Sequence, residues 1–282
     1  MGILNVTPDS FSGDGLLAGG EDWIGRAVAQ ARGFFADGAD LVDLGGESTR
    51  PGAQPVGAAE EMARVVPVIE RLVAAGLGPV SIDTYKAEVA RAALEAGADM
   101  VNDVWGLRRD PALAGVVAAH RAPVVLMHNR SRPEAVTSDP RLGGMYLGTE
   151  YHDLLEDVKA ELRQSIALAH QAGIPDEHIL LDPGLGFGKT VAQNLELIDR
   201  LEELRTLGYP LVVGPSRKSF IGRTLNLPAG QRLEGTAATV AVAAARGADV
   251  VRVHDVAAMA RVARMADAIV RRADYKPQPS PD

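Results

Sequence analysis

The chain has 282 residues, 46% of them hydrophobic, and its 37 acidic against 29 basic residues give a formal net charge of −8. This charge argues against a nucleic-acid partner, because nucleic-acid-binding domains are usually basic, and the absence of cysteine excludes disulfides and thiol chemistry. The longest nearly apolar stretch, 237–245, is too short to cross a membrane, which takes about 20 residues. The N-terminus has no basic-then-apolar signal pattern, so we expect a cytoplasmic protein with no membrane partner.

Strand-like and helix-like patterns alternate along the whole chain. Short apolar runs predict eight strands, at 2–6, 41–44, 80–82, 100–101, 123–127, 179–181, 211–213 and 250–253. Amphipathic stretches predict eight helices, at 22–35, 58–75, 87–96, 111–120, 154–172, 195–207, 232–246 and 256–272. This order favours an α/β fold, a single (β/α)8 TIM barrel, over a doubly wound open sheet. We assign residues 1–275 to the barrel and expect the proline-containing tail, 276–282, to be disordered.

Polar residues follow nearly every predicted strand. In a TIM barrel these positions surround the mouth where active sites lie. They are Asn5, Glu47 to Arg50, Asp83, Asn102, His128, Asp182, Ser216 to Lys218, Arg252 and His254. Two long glycine-rich loops, at 7–20 and 45–57, have the length typical of lids or binding loops. The sequence therefore predicts a binding site at this end of the barrel.

These polar residues form two chemical subsets. The first combines carboxylates, an amide and an ammonium group, in Asp83, Asn102, Asp182 and Lys218. Such groups can pair with the ring nitrogens, amino group and carbonyl of a flat amino-heterocycle. The second subset is polar or cationic and contains Asn5, Arg50, Arg252 and His254. Its guanidinium and imidazole groups suit a phosphate-type anion.

Each of these residues taken alone also has a purely structural interpretation. Asp83 could cap the helix that follows it, Asn102 could begin an ordinary loop, and Lys218 could be solvated. His254 could form a capping pair with Asp255, and for His128 the structural interpretation is preferred. The shared position of all these residues at strand ends favours a functional interpretation for the set.

The glycine-rich segment DPGLGFGKT, at 182–190, fits neither of two nucleotide-binding motifs. A P-loop requires glycine where Pro183 stands, and a dinucleotide fingerprint requires its third glycine where Lys189 stands. We therefore expect these glycines to let the backbone approach a flat ligand, with Phe187 packing nearby.

Seven segments occur along the chain in the order NVTPDSFS, DLGGESTRPG, SIDTYK, VND, LDPGLGFGK, VGPSRKS and RVHD. Together they resemble the successive motifs of the dihydropteroate synthase family, across nearly the whole chain. The resemblance implies a transferase of folate biosynthesis that condenses 6-hydroxymethyl-7,8-dihydropterin diphosphate with 4-aminobenzoate. The products would be 7,8-dihydropteroate and diphosphate. It also implies a Mg²⁺ cofactor, competition by sulfonamides, and a homodimer formed through helices on the late side of the barrel.

The resemblance also implies a role for individual residues. Those that would hold the pterin and support catalysis are Asp83, Asn102, Asp182 and Lys218, with Met127, Phe187 and Gly214 as further pterin contacts. Those that would bind the diphosphate are Asn5, Arg50, Arg252 and His254, with Asn5 also binding Mg²⁺. Those around the aminobenzoate would be Phe11, Thr49, Arg50, Pro51, Phe187 and Ser216.

The expected chemistry needs no nucleophile–base pair. Diphosphate is a good leaving group once cations neutralise its charge, and the electron-rich dihydropterin can delocalise the positive charge left at its exocyclic carbon. The arylamine is already a nucleophile and needs only positioning. We therefore expect an SN1-like displacement, with Asp83 and Asp182 favouring the developing cation and aminobenzoate binding productively after the pterin diphosphate.

The sequence departs from the family pattern in places. Members usually carry a short segment before the first strand, whereas this sequence begins inside that strand, and Asn129 follows His128 where methionine is common. Gly13 also separates Ser12 from Asp14, which are adjacent in many relatives.

Two other functions remain as alternatives. A methyltetrahydrofolate methyltransferase would share Asp83, Asn102 and Asp182. It would not need Lys218, the 49–51 segment, Arg252 or His254, because its substrate bears no diphosphate. A non-catalytic paralogue would bind a pterin without turnover.

Overall fold

The computed structural model describes residues 1–7, 16, 22–49, 51–132 and 134–272. Ten strands run through these residues: β1 (Gly2–Asn5), β2 (Val42–Gly45), β3 (Val80–Asp83), β4 (Met100–Asp103), β5 (Val124–Met127), β6 (Val136–Thr137), β7 (Met145–Tyr146), β8 (Ile179–Asp182), β9 (Val212–Val213) and β10 (Val250–Val251). Strands β6 and β7 form an antiparallel hairpin, and the other eight are the predicted barrel strands. The predicted tail, 276–282, lies outside the described residues.

The eight parallel strands close into a ring. Six of them pair in the order β1-β2-β3-β4-β5-β8, and β9 pairs with β10. Parallel bridges join Leu181 to Leu211 and Gly2 to Val253, and the Ile3 amide donates to the Val253 carbonyl at 2.9 Å. These contacts connect β8 to β9 and β10 to β1, so every barrel strand has a neighbour on both sides. The predicted TIM barrel is therefore confirmed, and the alternative of a doubly wound open sheet is wrong.

Nine helices lie in the described part of the chain: α1 (Trp23–Ala36), α2 (Ala58–Ala74), α3 (Ala87–Glu95), α4 (Leu113–His120), α5 (Leu154–Gln171), α6 (Val191–Asp199), α7 (Ser219–Leu225), α8 (Leu233–Ala245) and α9 (Val256–Val270). The predicted helix at 195–207 is wrong in its limits. Thr190 and Gln193 form a capping box that starts α6 earlier, and Leu201–Leu207 is a separate 3₁₀ helix. Helix α7 and the β6–β7 hairpin were not predicted. None of the described helices is long and apolar enough to span a membrane.

Alternation along the strands places polar groups inside the barrel and apolar groups outside it. The register aligns Asn5 with Gly45, Gly45 with Asp83, and Asp83 with Asn102 at the carboxyl ends of β1 to β4. The preceding residues Leu4 and Ile82 are fully buried in the main hydrophobic core. Because successive strand side chains point to opposite faces, burying the apolar residues under the helices turns their polar neighbours toward the barrel axis.

Candidate active site

A cavity of about 420 Å³ opens at the carboxyl ends of the barrel strands. His128, one of the strand-end residues, does not line the cavity. The lining contains every residue with a predicted binding role that the structure describes: Asn5, Thr49, Pro51, Asp83, Asn102, Met127, Asp182, Phe187, Gly214, Ser216, Lys218, Arg252 and His254. The two other predicted contacts, Phe11 and Arg50, lie outside the described residues. Side chains from the first and the last strand therefore share one cavity, as the strand-end pattern predicts.

An ion-pair network that involves Asp43 forms the floor of this cavity. Asp43 is completely buried, and its Oδ2 accepts from Asn102 Nδ2 at 2.9 Å and from Arg252 Nε at 2.5 Å. Arg252 Nη2 also donates to Asp83 Oδ2 at 2.7 Å. Arg252, predicted to bind a diphosphate, thus also belongs to the floor. Asp43 was missed, although a lone carboxylate inside an apolar strand is a usable signal for a buried polar contact.

Asp83 lines the cavity and has one carboxylate oxygen without a hydrogen-bond partner among the described residues. This oxygen, Oδ1, is buried. Burial raises the pKa of this carboxyl to about 7, against the opposing effect of the Arg252 charge. Asp83 does not cap α3, which follows Lys86 without a side-chain cap. An enclosed carboxylate with one free oxygen is suited to accept an N–H group from a ligand.

Asp182 and Lys218 form the opposite side of the cavity. The Gly184 amide donates to Asp182 Oδ1 at 2.7 Å, and Lys218 Nζ donates to the Leu185 carbonyl at 2.5 Å. Burial raises the pKa of Asp182, with the Lys218 charge opposing it, and burial lowers the pKa of Lys218 to about 8, with Asp182 opposing it. Lys218 is therefore an enclosed cation that still has donors for a ligand, and not a solvated surface lysine.

The ring of Phe187 lies beside Lys218, whose Nζ is 4.9 Å from the ring centroid. Gly214 lies between Lys218 and Arg252, because a Cβ at this position would be 3.9 Å from Lys218 Nζ and 3.8 Å from Arg252 Cβ. Gly214 thus borders the space between the two cations, and Phe187 offers a ring beside Lys218 on which a flat ligand can be stacked.

His254 and Ser216 lie at the rim of the cavity. The Ser216 hydroxyl accepts from the His254 amide at 3.1 Å and lies 2.9 Å from His254 Nδ1. The alternative role of Asp255 as a helix cap is not observed, since its side chain makes no capping bond to α9. Asp255 instead accepts from Arg217 Nε and Nη2, at 2.9 and 2.5 Å. This ion pair holds the Ser216–Lys218 turn against the start of α9.

The loop that carries Thr49 and Pro51 is tied down at its base. Lys86 forms ion pairs with both Glu47 and Glu61, and Glu47 Oε2 accepts from the Val56 amide at 3.1 Å. Glu47 thereby joins the two ends of the loop, and Lys86 anchors that junction to the barrel.

Behind the cavity lies a buried network centred on Lys189. Its ammonium group contacts three acceptors: His128 Nδ1 at 2.9 Å, the Gly184 carbonyl at 2.9 Å and the Phe187 carbonyl at 3.2 Å. These match the three N–H donors of a protonated lysine, although burial lowers its pKa to about 7. His128 Nε2 lies 3.3 Å from Glu161 Oε2, and burial lowers the pKa of His128 to about 3. His128 is thus a neutral structural residue, and Lys189 is a buried residue that joins two loops behind the cavity, a structural role that the sequence did not reveal.

The expectation for the glycines of 182–190 is only partly met. Gly186, with φ of +85°, borders the cavity near Lys218. Gly184 and Gly188 instead lie directly against the backbone of His128 and Arg130, where a Cβ would collide. These two glycines therefore allow two loops to pack together and do not approach a ligand.

Comparison with known proteins extends these observations. The model of the family described as pterin binding enzyme matches residues 1–254. The dihydropteroate synthase of Bacillus subtilis (strain 168) is 48% identical over 272 residues, covering 96% of this chain and 88% of that protein. A solved dihydropteroate synthase from Clostridium difficile, in the presence of pteroic acid, superposes with a TM-score of 0.86 at 47% identity, covering 96% of both chains. One from Xanthomonas albilineans, with 4-aminobenzoic acid, has a TM-score of 0.84 at 44% identity, covering 95% of this chain and 92% of that one.

Proposed function

The chain belongs to the dihydropteroate synthases, transferases of folate biosynthesis, and we propose how its cavity condenses 6-hydroxymethyl-7,8-dihydropterin diphosphate with 4-aminobenzoate. The observation that carries the proposal is the convergence of Asp83, Asn102, Asp182 and Lys218 on one cavity, with Oδ1 of Asp83 lacking a partner among the described residues. Each further step below rests on the contacts of these and neighbouring residues.

The pterin occupies the inner part of the cavity. Asp83 accepts from the N–H groups of the ring through its free oxygen, and Asn102 supplies an amide that can donate and accept. Lys218 donates to the ring carbonyl or a ring nitrogen while its stem remains beside Phe187. Met127 and Gly214 complete the walls of this subsite. Because the N–H groups and the carbonyl of a pterin then find partners, a flat apolar ligand of the same size should bind much less tightly.

The diphosphate lies toward the rim, between Arg252, His254 and Asn5. Arg252 keeps donors beyond its bonds to Asp43 and Asp83, because a guanidinium has five N–H groups. This arrangement also argues against a methyltetrahydrofolate methyltransferase, whose substrate carries no such anion.

Mg²⁺ fits the same rim as a partner of the substrate. Among the described residues no group of three or more acidic or histidine side chains could hold a metal ion by itself. The amide oxygen of Asn5 lines the cavity at the end of β1. One protein oxygen together with phosphate oxygens and water is a usual coordination for Mg²⁺. When bound, the ion would neutralise charge on the leaving diphosphate.

The displacement proceeds in an SN1-like manner. As the bond to diphosphate lengthens, positive charge develops on the pterin and its exocyclic carbon. The carboxylates of Asp83 and Asp182 stabilise this charge from inside the barrel, and Arg252 and His254 stabilise the charge on the leaving group. No side chain has to act as a nucleophile.

The arylamine binds in the outer part of the cavity, where Thr49, Pro51, Phe187 and Ser216 are the contacts. Its amine attacks the exocyclic carbon and releases a proton. Sulfonamides, which copy the shape of 4-aminobenzoate, would compete for this subsite.

A homodimer is part of the proposal. Helices α8 and α9 leave the large apolar side chains Val242, Met265 and Ile269 exposed by 43%, 61% and 58%. A second copy would cover this late side of the barrel. Light scattering that gives the monomer mass at micromolar concentration would contradict this part alone.

One assay tests the reaction itself. Diphosphate release should require the pterin diphosphate, 4-aminobenzoate and Mg²⁺ together, with formation of one dihydropteroate per diphosphate. Tight binding of the pterin without release would support the non-catalytic paralogue, and release that does not depend on the arylamine would refute the condensation.

A further inference from the structure

The β6–β7 hairpin forms part of the cavity wall, although the sequence did not reveal it. Its connecting residues 140–144 and Tyr146 of β7 line the outer part of the cavity, on the side where the arylamine is proposed to bind. Tyr146 is buried. The hairpin, which belongs to the connection between β5 and α5, therefore contributes directly to the cavity wall.

One side of the hairpin contacts the loop that carries Thr49 and Pro51. The Tyr146 hydroxyl donates to the Thr49 carbonyl at 3.1 Å. A Cβ added to Gly144 would lie 3.1 Å from the Pro51 carbonyl oxygen and 3.3 Å from Pro51 Cβ. The ring of Tyr146 also lies 6.0 Å from the ring of Phe187, centroid to centroid. Tyr146 therefore contacts both sides of the outer cavity.

The other side of the hairpin is held by Arg232, which is only 3% exposed. Its Nη2 donates to the Leu142 carbonyl at 2.8 Å, its Nη1 to the Arg217 carbonyl at 2.9 Å and its Nε to the Leu227 carbonyl at 3.0 Å. Arg141 Nη1 adds a bond to the Asn226 carbonyl at 3.1 Å. One buried guanidinium thus joins the hairpin to the segments before α7 and α8. Hydrogen bonds to a charged group are the stronger ones.

We propose that the hairpin is a fixed support for the arylamine site and that Tyr146 is its positioning residue. By holding the Thr49 carbonyl, the Tyr146 hydroxyl sets the distance between Thr49 and the Phe187 ring. This inference rests on the proposed function, because it concerns the space between these two walls, where the arylamine is proposed to bind. A gap set by a rigid support lowers the entropy cost of ordering the loop when the second substrate binds. Tyr146→Phe keeps the ring that lies beside Phe187 and removes only the bond to Thr49, so the pterin contacts should stay the same.

The first test removes one hydroxyl. Tyr146→Phe should raise the KM for 4-aminobenzoate about two- to tenfold, the range expected for one neutral hydrogen bond. The KM for the pterin diphosphate and the kcat should stay the same. Tyr209→Phe is the matched control, since it removes a phenol bond to Asp176 Oδ1 at the other end of the barrel and should change neither KM. An unchanged KM for aminobenzoate in an active Tyr146→Phe enzyme would overturn the inference.

The second test crowds a neighbouring contact of the hairpin, that between Gly144 and Pro51. Gly144→Ala places a methyl group against Pro51, whereas Gly115→Ala, in α4, meets no atom within 4 Å. Only the first should raise the KM for aminobenzoate selectively. Equal increases in both KM values, or a fall in thermal stability that accounts for the loss, would show a merely structural role and refute the proposal. Absence of turnover by the unsubstituted enzyme would instead refute the proposed function, so the two failures are distinguishable.

Discussion

Arg252 donates to Asp83 across 2.7 Å. The sequence placed these two residues in different subsets, one for the leaving diphosphate and one for the heterocycle. In the structure they form one ion pair, with Asp43 as the second carboxylate on Arg252. In the proposed function, the two halves of the pterin diphosphate would be recognised by groups that also bind each other, so a change in either residue should affect the binding of both halves.

Arg252→Ala tests this coupling. The variant should bind both hydroxymethylpterin and its diphosphate more weakly, because Asp43 and Asp83 lose the cation that compensates their burial. Breaking a buried pair costs about 3 kcal/mol of folding stability. Calorimetric titration with both ligands and chemical denaturation measure the two effects. Arg252→Lys should recover part of the stability, and a loss confined to the diphosphate ligand would show that the ion pair does not couple the subsites.

The activity should depend on pH through Asp83 and Lys218. In the proposed function Asp83 accepts from the ring most strongly when it is ionised, and burial raises the pKa of Asp83 to about 7. Lys218 donates most strongly when protonated, and burial lowers its pKa to about 8. The kcat/KM for the pterin diphosphate should thus rise with pH through about 7 and fall above about 8. A Lys218→Arg enzyme should keep the acidic limb and lose the alkaline one, and an alkaline limb that persists in this variant would exclude Lys218 as its source.

Lys189→Met should destabilise the protein and loosen the cavity wall that carries Phe187. The substitution leaves His128 Nδ1 and two carbonyls without their donor, and each buried group left unpaired costs about 1–3 kcal/mol. Denaturation and the KM for both substrates give the readout. Lys159→Met is the control, because Lys159 is also a buried lysine but pairs with Glu156 on the outer helix α5. Equal changes in stability and in both KM values for the two variants would show that Lys189 has no specific role in supporting the cavity wall.

Asn5→Ala should raise the Mg²⁺ concentration needed for half-maximal activity. The amide oxygen at the end of β1 is the proposed protein ligand of an ion held mainly by the diphosphate. Binding of hydroxymethylpterin, which carries no diphosphate, should stay within about twofold and serves as the internal control. The Mg²⁺ requirement is read from diphosphate release across a titration of the metal, and a half-saturation point that does not move would exclude Asn5 as a ligand.

Much of the site could be predicted because strand periodicity and barrel geometry are local rules. Asn5, Asp83 and Asp182 each end an apolar run, and in a closed parallel barrel all such ends meet at one face. That argument needs only the order of the strands. Strand order carries no information about which side chains touch. The prediction could therefore place these side chains in one cavity but could not say which of them pair with each other.

The missed residues depend on contacts that no local pattern records. Lys189 stands in a glycine-rich segment, and only the packing of that segment on the His128–Arg130 backbone encloses it. Tyr146 lies in a two-residue strand, too short for a periodic signal, and donates a hydrogen bond to a residue almost 100 positions away. Helix α6 was misplaced because the Thr190 capping box outweighed the apolar spacing used to predict it.

The sequence by itself determined the barrel, the family and the chemical types gathered at the mouth, since alternating apolar periods and strand-end residues are properties of neighbouring positions. Only the tertiary structure decided which charges pair. It joined Arg252 to Asp83, buried Lys189 against His128 and set Tyr146 on Thr49. The physical reason is that a carboxylate, an ammonium or a hydroxyl takes its function from its nearest partners and from its burial, and folding alone brings distant segments within hydrogen-bond distance of one another.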